Sequence, residues 1–220
     1  MVIEKARLLV EQWLASDRTR WLDLSCLKLT ELPDNFPVNF NGKLDCSNNQ
    51  LTSLSLPMAT SVFCSHNQLT SLSLPMATFV FCPNNQLTSL SLPMATFVRC
   101  SNNQLTTLSL PMATEVSCMD NQLTSLSLPM ATYVCCYRNL LTTLSLPMAT
   151  EVLCHDNPIE FRLSTLLPSP YSSDEDVVRK DIRTAYLCAC KMLGIIKRTK
   201  QQIIKQSEVL PCNSMLNLFH

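Results

Sequence analysis

Glycine is almost missing from this chain: Gly42 and Gly194 are the only two in 220 residues. That scarcity excludes the glycine-rich loops that cradle phosphates, and neither a P-loop nor G-x-G-x-x-G occurs. It also means that tight turns must be made by other residues. Net charge is lacking too. Seventeen basic residues balance seventeen acidic ones, so no overall field draws the chain to nucleic acid or to an anionic surface. No apolar run is long enough to cross a bilayer. Near the N-terminus Glu4, Arg7 and Glu11 interrupt any signal-peptide core. Histidine is confined to His66, His155 and His220, scattered along the chain, and no H-E-x-x-H is present.

What the chain has is one stretch, repeated. Ala59 to Met76 reads A-T-S-V-F-C-S-H-N-Q-L-T-S-L-S-L-P-M, and the pattern restarts at Ala77, Ala95, Ala113, Ala131 and Ala149. A related unit without the opening Ala-Thr runs from Leu44 to Met58. A fixed period of 18 residues specifies a solenoid, in which each unit buries its apolar side against its neighbours. Repeat positions are numbered 1 to 18 from each Ala.

Positions 4 and 6 (Val62 and Cys64 in the first full unit) are apolar and alternate with variable residues, which predicts a short strand over positions 3 to 7. Position 9 is always Asn: Asn49, Asn67, Asn85, Asn103, Asn121, Asn139 and Asn157. Its amide is expected to turn the chain and to satisfy buried backbone groups in every coil. Asn102, one residue earlier, is expected to point outward and to matter little. The arm L-S-L-P at positions 14 to 17 alternates and ends in Pro, so it is expected to be extended. Position 6 is always Cys, and this regularity favours buried, reduced packing thiols over disulfides. Reduced thiols imply a reducing compartment. Cys135, at the outward position 5, is expected to react readily.

The motif L-x-C-x-x-N-x-L-T-x-L resembles a leucine-rich repeat with Cys at the third apolar position. The T-x-L-S-L-P arm resembles the very short repeats of bacterial secreted effectors, the YopM and IpaH group. The departures are a shorter period and Ala at position 1, where that group carries Leu. The resemblance implies a solenoid with a parallel concave sheet, extended convex arms and helical caps at both ends. It implies a non-catalytic module that binds a partner protein, with the effector acting on a host protein in the host cytoplasm. Part of the group carries a ubiquitin-ligase domain after its repeats. The segment after Leu163 is too short for that domain, so ligase activity is not expected.

Domain boundaries follow. Residues 1–20 are expected to form an N-terminal helical cap, with Ile3, Ala6, Val10 and Trp13 on one face of a helix over 3–15. Residues 21–163 hold about eight repeats, and at ~4.8 Å per strand the stack should be roughly 35–40 Å long. The first repeat is atypical, with Leu27 in the place of Asn. Residues 164–220 are expected to form a helical cap and tail. One helix would begin near Ser173 and a second, basic one would run from Ile195 to Ser207. That basic segment gives membrane contact as a minor alternative. Cys188, Cys190, Cys212 and His220 are a weak metal or enzyme pattern, and neither a metal nor a cofactor is expected.

Variation among the repeats is concentrated at positions 3, 5, 7 and 8, on the concave face. Phe63, Phe79, Phe81 and Phe97 group there with Arg99, and Tyr133, Tyr137 and Arg138 form a second group. Glu115, Asp120, Glu151 and Asp156 make the same half acidic. Exposed aromatics grouped in this way mark interfaces. These eight residues are the expected partner-binding set, on a monomer. The competing readings are an intracellular scaffold of the producing organism and an enzyme using tail cysteines.

Overall fold

The computed structural model describes residues 2–159. The expected C-terminal cap, with its two helices, lies outside the described residues. The described part is a β-solenoid preceded by one helix, α1 (Val2–Leu14). Ala6, Val10 and Trp13 of α1 are buried, as the apolar spacing predicts. Trp13 packs on Phe40 with ring centroids 5.0 Å apart, and its indole N–H donates to the Arg20 carbonyl at 2.9 Å. The helix thus covers the apolar start of the stack, where Leu22 and Leu24 are buried.

One glycine is required here by a close approach. A Cβ placed on Gly42 would lie 2.6 Å from Trp13 Cζ2 and 3.0 Å from Phe40 Cζ. Neither ring can retreat easily, since each is packed against the other. Gly42→Ala is therefore expected to destabilise the chain by about 1–3 kcal/mol, the usual cost of overpacking, read as a lower urea midpoint.

The long sheet has eight parallel strands in chain order: Trp21–Asp23, Lys43–Asp45, Ser61–Phe63, Phe79–Phe81, Phe97–Arg99, Glu115–Ser117, Tyr133–Cys135 and Glu151–Leu153. The regular strands cover positions 3 to 5, shorter than the expected 3 to 7. Coil-to-coil bonding nevertheless continues past them. Cys64 N–H donates to the Phe81 carbonyl at 2.8 Å, and His66 N–H to the Pro83 carbonyl at 3.0 Å. Position 4 points inward throughout: Val62, Val80, Val98, Val116, Val134 and Val152 are all buried. Position 6 lies beside it, and Cys46 through Cys154 are fully buried at zero exposure.

The return arm is extended, as its alternation predicts, and it goes further by forming strands of its own. Ser53–Ser55 pairs with Ser71–Ser73, Ser89–Ser91 with Thr107–Ser109, and Ser125–Ser127 with Thr143–Ser145. Hydroxyls on either side of Leu point to water, while Leu54, Leu90 and Leu126 are buried and Leu72, Leu108 and Leu144 half-buried.

The turn is divided between two residues, which corrects the expectation that Asn at position 9 makes it. Position 8 carries the left-handed backbone: Asn48, His66, Asn84, Asn102, Asp120, Arg138 and Asp156 have φ between 53° and 57°. Only glycine adopts this region without cost, and Asn and Asp tolerate it better than other residues. Position 8 is therefore not the inconsequential outward site that sequence suggests. Position 9 supplies the hydrogen bonds. Asn103 Nδ2 donates to the carbonyls of Cys82 and Cys100 at 3.1 Å and of Ser101 at 3.3 Å, while its Oδ1 accepts from Leu87 N–H at 3.1 Å. Each amide thus ties its own coil to the preceding one. Asn49 compensates for Leu27 in the first repeat, because its Oδ1 accepts from both Leu27 N–H (3.1 Å) and Leu29 N–H (2.9 Å).

Candidate functional site

Positions 3 and 5 flank an inward valine, so their side chains leave the core on the open face of the long sheet. The register then decides which of them meet. Phe79 is directly opposite Phe97, Phe63 opposite Phe81, and Phe81 opposite Arg99. Phe79 and Phe97 stack with centroids 4.3 Å apart and planes 2° from parallel. Phe63 lies 5.8 Å from Phe79 and 5.5 Å from Phe81 in tilted contacts. The Arg99 guanidinium sits 5.1 Å from the Phe97 centroid, within cation–π range. All four Phe are half-buried.

A fifth ring completes the cluster. Trp21 lies 4.4 Å from Phe63 and is 38% exposed. Sequence reasoning missed it because 22 residues, not 18, separate Leu22 from its sheet partner Leu44. Trp21 belongs to the same file as Phe79 and Phe97, and aligning the first repeat by its strand instead of by its Asn would have placed it there.

The second predicted group divides. Tyr137 stacks on His155 at 4.4 Å, and Arg138 lies 5.7 Å from the Tyr137 ring. Arg138 is held at 3.6 Å from both Asp120 and Asp156, its neighbours in the position 8 file. These exposed pairs contribute little to stability, but they occupy the one cation of the group. Tyr133 stands apart on the sheet face, where burial, with Cys135 and Glu151 nearby, raises its phenol pKa. Tyr133 shares the file of Phe79 and Phe97, with Glu115 standing between it and Phe97.

Several outward positions are less open than expected. Cys135 is only 6% exposed and Ser117 6%, and Ser65 and Ser101 are also buried. A short side chain on a sheet face sits below its longer neighbours, here Arg99 beside Ser117 and Leu153 beside Cys135 in the register. Ready labelling of Cys135 is therefore not expected, whereas Cys26 is exposed. No group of three or more His, Cys, Asp or Glu could hold a metal ion among the described residues. Cys188, Cys190, Cys212 and His220 lie outside them.

No protein-family model and no curated protein match the chain. Solved structures do. YopM, a leucine-rich effector protein from Yersinia pestis, superposes with a TM-score of 0.55 at 25% identity over 71% of this chain. The leucine-rich-repeat domain of a Shigella effector does so with a TM-score of 0.51 at 26% identity over 74% of this chain. The chain has the fold of a leucine-rich-repeat solenoid. It spans 54% of the matched YopM chain and 70% of the Shigella one. The resemblance is to repeat domains of bacterial effectors, and it points to a protein-interaction module.

The leucine-rich-repeat core has its own chemistry in the cysteine file. Burial pushes the thiols of Cys82 and Cys118 from the ordinary 9.0 up to about 12, and raises those of Cys46, Cys64, Cys100 and Cys136 as well. No disulfide joins the described cysteines. A thiol that holds its proton more tightly when folded contributes full stability below the unfolded pKa, and that share is lost as pH rises toward the folded value. The urea midpoint is thus expected to fall steadily from about pH 9 upward, with the ladder thiols unreactive to a thiol reagent below that. A midpoint flat to about pH 11 would show that these thiols are not buried in the way described.

Proposed function

We propose that this protein is a non-catalytic binding module that holds a partner protein on the open face of its long sheet, and that it is a translocated bacterial effector acting on a host protein. The observation that carries the reading is the continuous run of five rings, Trp21, Phe63, Phe79, Phe81 and Phe97, closed by Arg99. A soluble domain rarely gathers so much half-exposed aromatic area without a use for it, and aromatic residues with Arg are the side chains that dominate binding energy at interfaces. Tyr133 extends the patch. Tyr137 and Arg138, with His155, form a secondary contact at the strand exit.

The likeness to YopM and to the Shigella effector domain supports the effector role, and the reduced cysteine file suits the cytoplasm of a host cell. The protein acts as a monomer, without cofactor. The second reading, a scaffold inside the producing organism, rests on the same face. Affinity capture from eukaryotic and from bacterial lysates separates the two. Intact protein should retain a eukaryotic protein that a Phe79→Ser, Phe81→Ser double variant loses and Ser91→Ala keeps. Retention of a bacterial protein alone would favour the scaffold. Equal retention by the double variant would remove the face from the account.

A further inference from the structure

Position 18 of every repeat is methionine, and the fold gives those residues a common fate. Met58, Met76, Met94, Met112, Met130 and Met148 are 48%, 50%, 47%, 49%, 48% and 44% exposed. Each follows a proline and precedes a buried alanine. The alanine N–H donates back to the leucine at position 16, as from Ala77 to Leu74 at 3.3 Å and from Ala95 to Leu92 at 3.4 Å. Methionine therefore sits at the tip of a tight turn, held in the same place on every coil. At ~4.8 Å per coil the six thioethers form a file roughly 24 Å long on the edge of the solenoid. It lies outside the aromatic face and takes no part in the core.

We propose that this file is a modification site for two-electron oxidants such as hydrogen peroxide or hypochlorous acid. The thioether sulfur donates an electron pair to the terminal peroxide oxygen. The O–O bond breaks, the sulfoxide forms, and the remaining oxygen leaves as water. With hypochlorous acid the products are the sulfoxide and HCl. A dithiol reductase reverses the step, taking the oxygen off as water and becoming a disulfide itself.

Thiolates ordinarily react before thioethers, and for the ladder cysteines the fold inverts that order. The ladder thiols have zero exposure, whereas the thioethers stand at turn tips in water. Oxidation thus converts an apolar edge into a polar one and leaves the solenoid intact, because no position 18 side chain fills the core. It is a reversible change of surface character independent of the aromatic face.

The test is limited oxidation of the full chain with hydrogen peroxide, read by peptide mapping alongside circular dichroism. All six methionines should gain one oxygen at rates within about two-fold of one another. Each should react at least about ten-fold faster than Cys64, Cys82, Cys100 or Cys118. The melting midpoint should hold, and the two methionine sulfoxide reductases, one for each sulfoxide epimer, with a dithiol should restore the original mass. A variant with Leu at all six positions should fold and should take up none of this oxygen. Oxygen appearing on the ladder thiols at comparable rates, or unfolding in step with sulfoxide formation, would overturn the proposal.

Discussion

Asn103→Ala is expected to remove about 3 kcal/mol of stability, against about 1 kcal/mol for Asn102→Ala. The larger figure comes from the groups left behind. Without the amide, Leu87 N–H loses its acceptor, and the Cys82 and Cys100 carbonyls lose a donor between two coils. A buried polar group left unpaired costs about 1–3 kcal/mol, and alanine replaces none of the four contacts. The smaller figure has a different origin. Asn102 is exposed, but its φ of 54° lies in the left-handed region, where alanine costs roughly 1–2 kcal/mol and asparagine less. Asn102→Gly should therefore cost nothing or add slightly to stability, since glycine suits that backbone. Urea melts of the three variants separate these causes. Equal losses for Asn103→Ala and Asn102→Ala would mean that the amide ladder does not hold the coils together.

Phe81→Ala is expected to weaken partner binding by at least ~30-fold, corresponding to about 2 kcal/mol or more for an anchor residue. Phe81 pairs across the strand with Phe63 and is opposite Arg99, so it stands where the aromatic run meets the charge. The same contact limits how freely the residue can be removed. Cross-strand aromatic pairs contribute about 0.5–1.5 kcal/mol to a fold beyond simple burial. The variant should thus lose about 1 kcal/mol in a melt, while its loss in binding is larger. A drop in stability with unchanged affinity for the captured protein would show that the rings serve only the sheet.

Much of this molecule could be read from one repeat. The 18-residue period gave the solenoid, the alternation around valine gave the strand and its inward face, and the invariant Asn gave the ladder. The parts that escaped did so for physical reasons. The left-handed turn at position 8 was hidden because six units carry four different residue types there: His66, Asn84, Asn102, Asp120, Arg138 and Asp156. A backbone state imposed by neighbouring coils leaves only a weak mark on composition. Asn supplies half the turn in place of the absent glycine, and the structure divides that work between two adjacent residues. Cys135 was misjudged because alternation reports direction, not depth, and a short side chain beside Leu153 is shaded although it points outward. Trp21 was missed because the loop before Lys43 breaks the period. The splitting of Tyr133 from Tyr137 and Arg138 reflects their repeat positions, 3 on the strand against 7 and 8 beyond its end, which sequence grouping by repeat conceals.

Carbene footprinting of the chain bound to its captured partner tests the central claim most directly, because it reports where the partner sits without any substitution. The account predicts that binding decreases labelling of the peptides carrying Phe63, Phe79, Phe81, Phe97 and Arg99, with Trp21 at the margin. It also predicts that Ser91 and Ser109 on the return arm label as they do in the unbound chain. Protection of the return arm with the five rings still open to label would contradict it.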